Sequence, residues 1–154
     1  MENKYLHEIA MSAIIQKDGK YLIARRSLEK TRLPGKWTVP GGRLETNDYI
    51  DLPRDTGDGW YGILEKTLKR EVKEEVGVDI ENINYLTNLV VVNEGGAPGV
   101  IISCTADYAG GEIKLQMEEN DDFAWVDLDE AKKFDLIDGI YAEMIIAHDK
   151  KIKN

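Results

Sequence analysis

Cysteine and histidine are almost missing from this chain. One cysteine, Cys104, and two histidines, His7 and His148, stand among its 154 residues. A single thiol excludes an internal disulfide and a cysteine-based zinc site, and two imidazoles exclude a histidine-rich metal site. Positive charge is scarce as well: 20 Lys and Arg face 29 Asp and Glu, a formal net charge of −9. Such a chain is a poor general binder of nucleic-acid backbone, which needs clustered Lys and Arg. An anionic membrane surface would repel it. A polyanionic substrate would have to be held by metal ions or by a narrow basic pocket. No long apolar run follows Met1-Glu2-Asn3-Lys4. Neither a signal peptide nor a transmembrane segment is read there, so the expected compartment is the cytoplasm. What is present is a globular composition, 42% hydrophobic and 32% charged, over a length that suits one domain spanning residues 1–154.

The order of apolar and turn residues predicts a mixture of strands and helices. Glu8 to Gln16 and Tyr21 to Ala24 are strand-like and flank an Asp18-Gly19 turn, a strong hairpin signal. Arg25 to Lys36 reads as a loop, and Trp37 to Val39 as a short strand that stops at Pro40-Gly41-Gly42. Thr46 to Gly59 reads as an acidic loop. Gly62 to Val76 is the clearest helix, because Leu64, Leu68, Val72 and Val76 recur every four positions and Gly77 follows as a terminator. Ile83 to Val92, Val100 to Tyr108 and Phe123 to Val126 read as strands. Asp127-Leu128-Asp129-Glu130 carries a capping box. Ile137 to Ile152 reads as a C-terminal amphipathic helix. The expected class is a single α+β domain.

The helix Gly62 to Val76 carries an unusual charge distribution. On a wheel of about 100° per residue, Glu71, Glu74 and Glu75 share one arc, while Lys66, Lys69 and Lys73 lie opposite. Most acidic runs are solvated faces, but a solvated face mixes signs. Here the acids also share their arc with Leu64 and Leu68, which face the core. Carboxylates at such an edge need cations, and like charges at i, i+3 and i+4 weaken a helix unless something neutralises them. Arg70 is one helical step from Glu74 and can neutralise one acid. A hard divalent cation such as Mg²⁺ suits the rest, since it takes carboxylate and phosphate oxygens.

The second constellation is Trp37-Thr38-Val39-Pro40-Gly41-Gly42-Arg43-Leu44-Glu45. By itself it is a turn, although paired glycines also let a backbone approach a ligand closely. Taken with Arg70-Glu71-Val72-Lys73-Glu74-Glu75-Val76-Gly77-Val78, it resembles the signature of the Nudix hydrolase family. The second half of that signature matches at every fixed position from Arg70 to Val78, and the first half at Gly41-Gly42 and Glu45. Tyr21 to Arg26 and Trp125 to Glu130 also look like family features, so the resemblance covers nearly the whole chain. It departs at one place. Asp48 stands where the family has a glutamate, and Arg70 comes 14 positions late, so residues 46–59 form an acidic insertion. Either Asp48 replaces the missing glutamate, or Gly62 takes its place without a carboxylate.

The resemblance implies a Nudix-type α/β/α sandwich with a mixed β-sheet between helices. It implies a hydrolase that splits a phosphoric anhydride bond in a nucleoside diphosphate linked to another group, with Mg²⁺ as cofactor and Mn²⁺ as an alternative. Glu71, Glu74 and Glu75 match metal ligands, and Gly41 matches the glycine whose carbonyl reaches the metal. Arg70 matches the arginine that orients a glutamate. Glu119, six residues before Trp125, matches an additional loop carboxylate, with Glu118 and Asp121 as neighbours able to replace it. Glu74 or Glu119 is the expected general base. Arg25 and Arg26 are candidate phosphate contacts. Trp60, with Tyr49, Ile50 and Leu52, would give the 46–59 insertion a surface to close over substrate. The short chain and the residues Asn93-Glu94-Gly95-Gly96 favour a MutT-like enzyme that releases nucleoside monophosphate and pyrophosphate. The alternatives are an ADP-ribose or nucleotide-sugar pyrophosphatase, and a binding module that senses nucleotides without cleaving them. The expected partner is a nucleotide or nucleotide-linked small molecule, not a nucleic-acid polymer or a membrane; a homodimer is compatible with this reading.

Overall fold

The computed structural model describes residues 3–93 and 95–153. Met1, Glu2, Glu94 and Asn154 lie outside the described residues, and with them part of the readings made above of the N-terminus and of Asn93 to Gly96. The predicted hairpin forms: β1 (Glu8–Lys17) turns into β2 (Lys20–Arg26). Asp18 and Gly19 supply two consecutive positive φ angles, 51° and 78°, as a tight hairpin turn requires. Strands β3 (Trp37–Thr38), β4 (Gly41–Arg43), β5 (Asp79–Val91), β6 (Gly99–Gly110) and β7 (Asn120–Val126) complete a mixed sheet of order β3-β2-β1-β6-β5. Among the described strand pairs only β1 and β6 run parallel, in register from Glu8↔Gly99 to Gln16↔Asp107.

One detail of the topology makes the site. β1 and β2 pair only next to their turn, at Gln16↔Tyr21 and Lys17↔Lys20, and then diverge. The same edge of β1 is taken further back by β4, with Met11 opposite Gly42 and Ser12 opposite Gly41. β2 meanwhile pairs with β7 and β3. The sheet is therefore split beside Pro40-Gly41-Gly42. The strand read from Trp37 does end before those glycines, and the glycines themselves open a further strand. Other boundaries move by a few residues. β2 runs to Arg26, β5 starts at Asp79, and β7 at Asn120. The 46–59 segment contains a short 3-10 turn, Thr46–Asp48.

Alternation along β1 divides the core. Met11, Ala13 and Ile15 face α1 (Ile63–Val76) and pack with Leu68, Val72 and Val76. Ile14, with Tyr21 and Ile23 of β2, faces α2 (Leu128–Ala131) and α3 (Ile140–Lys153), where Ala131, Met144 and Ala147 are buried. A strand buried on both faces must be apolar at successive positions, as Ala13-Ile14-Ile15 is. Helices therefore cover both sides of the sheet. The predicted Asp127–Glu130 capping box is present. α3 starts three residues later than its periodicity predicts, because Gly139 takes φ 95°, outside the right-handed helical range. No helix among the described residues is long and apolar enough to cross a membrane.

Candidate active site

α1 presents its acids where the sheet splits. Its end is set by Gly77, with φ 81° and an N–H bonded to the Lys73 carbonyl, a left-handed cap that favours glycine. After β6 the chain returns along the helix, Lys114 N–H bonding to Val76 O and Gln116 N–H to Glu75 O, both at 2.9 Å. These bonds, and Ser27 N–H to Glu119 O at 2.9 Å, anchor the loop before β7. They bring Glu119 to the cavity that Glu71, Glu74 and Glu75 line, one of about 700 Å³.

The paired glycines are required by space. A side chain on Gly41 would overlap the Met11 carbonyl of β1, and one on Gly42 would overlap the Glu71 carboxylate. β4 thus lies directly on the acids of α1, and Gly41 donates its N–H to Glu75 Oε2 at 3.3 Å. Among the described residues Glu75 has only neutral hydrogen-bond partners, this amide and the Asn120 side chain at 3.4 Å. Burial, reinforced by the nearby Glu71 and Glu119 charges, pushes its carboxyl up to about 8. Burial also raises Glu71, against the pull of Arg70.

Arg70 does more than the sequence suggests. Its Nε donates to Asp48 Oδ1 at 2.5 Å and its Nη2 to Asp48 Oδ2 at 3.1 Å, a bidentate pair. Nη1 reaches Glu71 Oε1 at 2.8 Å and Glu74 Oε2 at 3.2 Å, and Nη2 also reaches the Arg43 carbonyl. Arg70 therefore touches three acids, where one was expected, and its main partner is Asp48 rather than Glu74. Of the two alternatives for the missing glutamate, Asp48 lies on the arginine and Gly62 does not. Thr67 Oγ1 and the Glu45 N–H also donate to Asp48. Burial alone would raise the Asp48 carboxyl, but these donors hold it below its usual range.

The remaining predicted residues divide. Glu119 lines the cavity and pairs with Lys30 at 2.7 Å. Arg26 lines it too, its guanidinium fixed on the Arg32 carbonyl at 2.9 and 3.0 Å. Arg25 does not line it; it pairs with Asp121 at 2.7 Å. Trp60 is also outside the lining, packed at a tilt of 50° on Tyr49 with ring centroids 4.9 Å apart and bonded to the Leu52 carbonyl. The 46–59 segment packs on itself, with Asp55 and Thr56 both bonded to Gly59 O. None of Tyr49, Ile50, Leu52 and Trp60 lines the cavity. Sequence reasoning missed Lys30, Arg32 and Arg43, which line the cavity opposite in charge to the glutamates. Their concentration with Arg26 within residues 25–43, around the Trp37 to Gly42 motif, was the available signal.

The donor set bears on whether a cation fits. As the side chains stand, no three His, Cys, Asp or Glu among the described residues converge on one point, since Arg70 holds Glu71 and Glu74. Yet every candidate ligand is an oxygen, and among the described residues the buried Glu75 makes no ion pair, only its two neutral hydrogen bonds. A buried carboxylate of this kind is satisfied by a hard divalent cation. The residues fit such an ion, which would compete with Arg70 for Glu71 and Glu74.

Comparison with known proteins agrees with this geometry. The NUDIX domain family model matches residues 6–146. The chain is 32% identical over 119 residues to the NAD-capped RNA hydrolase NudC of Vibrio atlanticus (strain LGP32), covering 74% of this chain and 35% of that protein. It thus spans about a third of that relative's length. It is 27% identical over 135 residues to the nucleoside triphosphatase NudI of Escherichia coli (strain K12 / DH10B), covering 80% of this chain and 84% of that one. The fold matches that of the MutT NUDIX hydrolase from Burkholderia pseudomallei with a TM-score of 0.70 at 20% identity, over 91% of this chain and 97% of that one. It matches equally, at 0.70 and 18% identity, the NUDIX domain of Shewanella oneidensis NrtR in complex with ADP ribose, over 94% and 88%.

Proposed function

Because the chain belongs to the NUDIX family, we propose that it is a metal-dependent hydrolase of nucleoside triphosphates that releases nucleoside monophosphate and pyrophosphate. One observation carries the reading: Glu71, Glu74, Glu75 and Glu119 share the wall of one cavity with Arg26, Lys30, Arg32 and Arg43. Acids that would repel a triphosphate, set beside bases that would attract it, make sense when a divalent cation lies between acids and phosphate. The resemblance to NudI, over most of both chains, favours a triphosphate substrate.

Glu71, Glu74 and Glu75, with the Gly41 backbone, would hold Mg²⁺ or Mn²⁺. When bound, such an ion neutralises developing charge on phosphate oxygens and lowers the pKa of a coordinated water. Arg26, Lys30, Arg32 and Arg43 bind and orient the phosphates. Asp48 fixes Arg70, and Arg70 fixes Glu71 and Glu74, so the acids keep their direction at the cavity. Water adds to phosphorus as the bridging P–O bond breaks, and its proton passes to a carboxylate with access to solvent. Glu119, positioned by Lys30, and the half-exposed Glu74 meet that condition.

The test is a panel of nucleoside triphosphates, ADP-ribose and NAD, assayed with Mg²⁺ and Mn²⁺ and with excess chelator. Turnover of triphosphates, abolished by chelator, is the expected result. Glu75→Gln should lower kcat/KM at least about 100-fold, since even outer-shell losses around a metal cost about 10–100-fold. Full turnover in chelator removes the metal mechanism, and turnover confined to ADP-ribose or NAD removes the substrate assignment.

A further inference from the structure

The cavity continues past the acids of α1 onto the other face of the sheet. Alternation along β1 and β6 turns Ser12 and Ser103 toward the α3 side, since Met11, Ala13, Ile102 and Cys104 pack on the α1 side. Ser12 and Ser103 are register partners, with their hydroxyls 3.3 Å apart. Further along the chain the equivalent position of β1 is Ile14, buried under α3. Two serines where a large apolar pair would close the layer leave space. That space is floored by Ile101 and Leu89, which are cross-strand partners, and walled by Ile140.

Glu143, in the first turn of α3, also lines this cavity. Its Oε1 is shut off from solvent and has no hydrogen-bond partner, the one such buried side-chain oxygen or nitrogen among the described residues. The helix dipole favours an acid in a first turn, but it supplies no donor to that oxygen. A buried acceptor without a donor costs about 1–3 kcal/mol. The terminal carboxyl torsion is soft, so the oxygen turns readily toward a donor that enters the cavity.

We propose that this part of the cavity seats the nucleobase and that Glu143 selects guanine; the proposal rests on the nucleotide reading above. The apolar walls suit a flat aromatic ring, which cavities of this type bury with a few placed polar groups. An ionised carboxylate only accepts hydrogen bonds. Among the common bases guanine alone offers two adjacent donors, its N1–H and its 2-amino group. Adenine and cytosine present one amino group beside an acceptor nitrogen, and uracil one N–H between two carbonyls. Each of these places an acceptor against the carboxylate. The Ser12 and Ser103 hydroxyls, which satisfy each other through one bond, retain a proton for the guanine 6-oxo group.

Binding of nucleoside monophosphates in the absence of divalent ions tests this directly. The full chain is titrated with GMP, IMP, AMP, CMP and UMP. GMP should bind about 10–100-fold more tightly than AMP, CMP and UMP, the discrimination a two-donor contact supplies. IMP, which lacks the 2-amino group, should fall between. Glu143→Gln, nearly the same shape, should bring GMP within about 3-fold of the others while leaving AMP unchanged. An equal affinity for all bases, or a guanine preference that survives Glu143→Gln with an unchanged thermal melt, overturns the assignment. A guanine preference in binding combined with no turnover of any triphosphate would instead sink the catalytic reading and leave the base site standing.

Discussion

Arg70 meets Asp48, Glu71 and Glu74 at once, and Asp48 spends both carboxylate oxygens on Arg70, Thr67 and the Glu45 amide. The Asp48 side chain is only 5% exposed. Asp48→Asn would turn an amide donor against these donors, so it should destabilise the fold by about 1–3 kcal/mol and lower turnover as Glu71 and Glu74 lose their fixed partner. A melt and a turnover rate both equal to wild type would show that Arg70 positions nothing. Glu75 makes a different prediction. Its carboxyl is raised to about 8 in the folded chain from an ordinary 4.5. Between those values the native state holds a proton that the unfolded chain has released. Without metal, stability is then greatest below about pH 4.5, for this group, and falls as pH rises toward 8. Glu75→Gln has no proton to lose and should gain melting temperature over wild type at pH 8 in chelator, with a smaller difference at pH 5. Equal differences at both pH values would mean that Glu75 is well solvated.

At the scale of elements, α1 was legible because its apolar residues repeat at the helical period, and the β1–β2 hairpin because Asp18-Gly19 suits its turn. β4 was not. Three residues with two glycines carry no strand propensity, and their pairing with Ala10 to Ser12 arises only because β2 leaves that edge of β1 free. Of the 46–59 segment, Asp48 at its start reaches Arg70 beside the acids, and its end leads into α1. The segment's middle lies outside the cavity wall, where Tyr49 packs against Trp60 and Trp60 bonds the Leu52 carbonyl. Replacing Ile50 to Gly57 by a Gly-Ser bridge, with Asp48 retained, should therefore leave metal dependence and the ranking of substrates unchanged, since added loop length costs little. A changed ranking in steady-state assays would restore the insertion to a part in recognition.

At the scale of the molecule, a chain of charge −9 keeps four basic residues, Arg26, Lys30, Arg32 and Arg43, around one cavity. The expected consequence is stabilisation by divalent cations. Adding Mn²⁺ to chelated protein should raise the melting temperature as binding to the native state requires, and Glu75→Gln should remove most of the rise; an equal rise in both would mean that the ion binds elsewhere. The family, the α+β class, the acids of α1 and the glycines of β4 were determined by the sequence alone. These are local: a helical period, a turn dipeptide and a motif of fixed spacing need no partner to be recognised. Only the tertiary structure decided that Asp48 lies on Arg70, that Arg25 turns to Asp121, that Lys30 holds Glu119, and that Glu143 has an oxygen without a donor. Each depends on which residues from distant segments meet across a split sheet. The spacing of residues along the chain carries the period of an element but not the direction from which another element arrives.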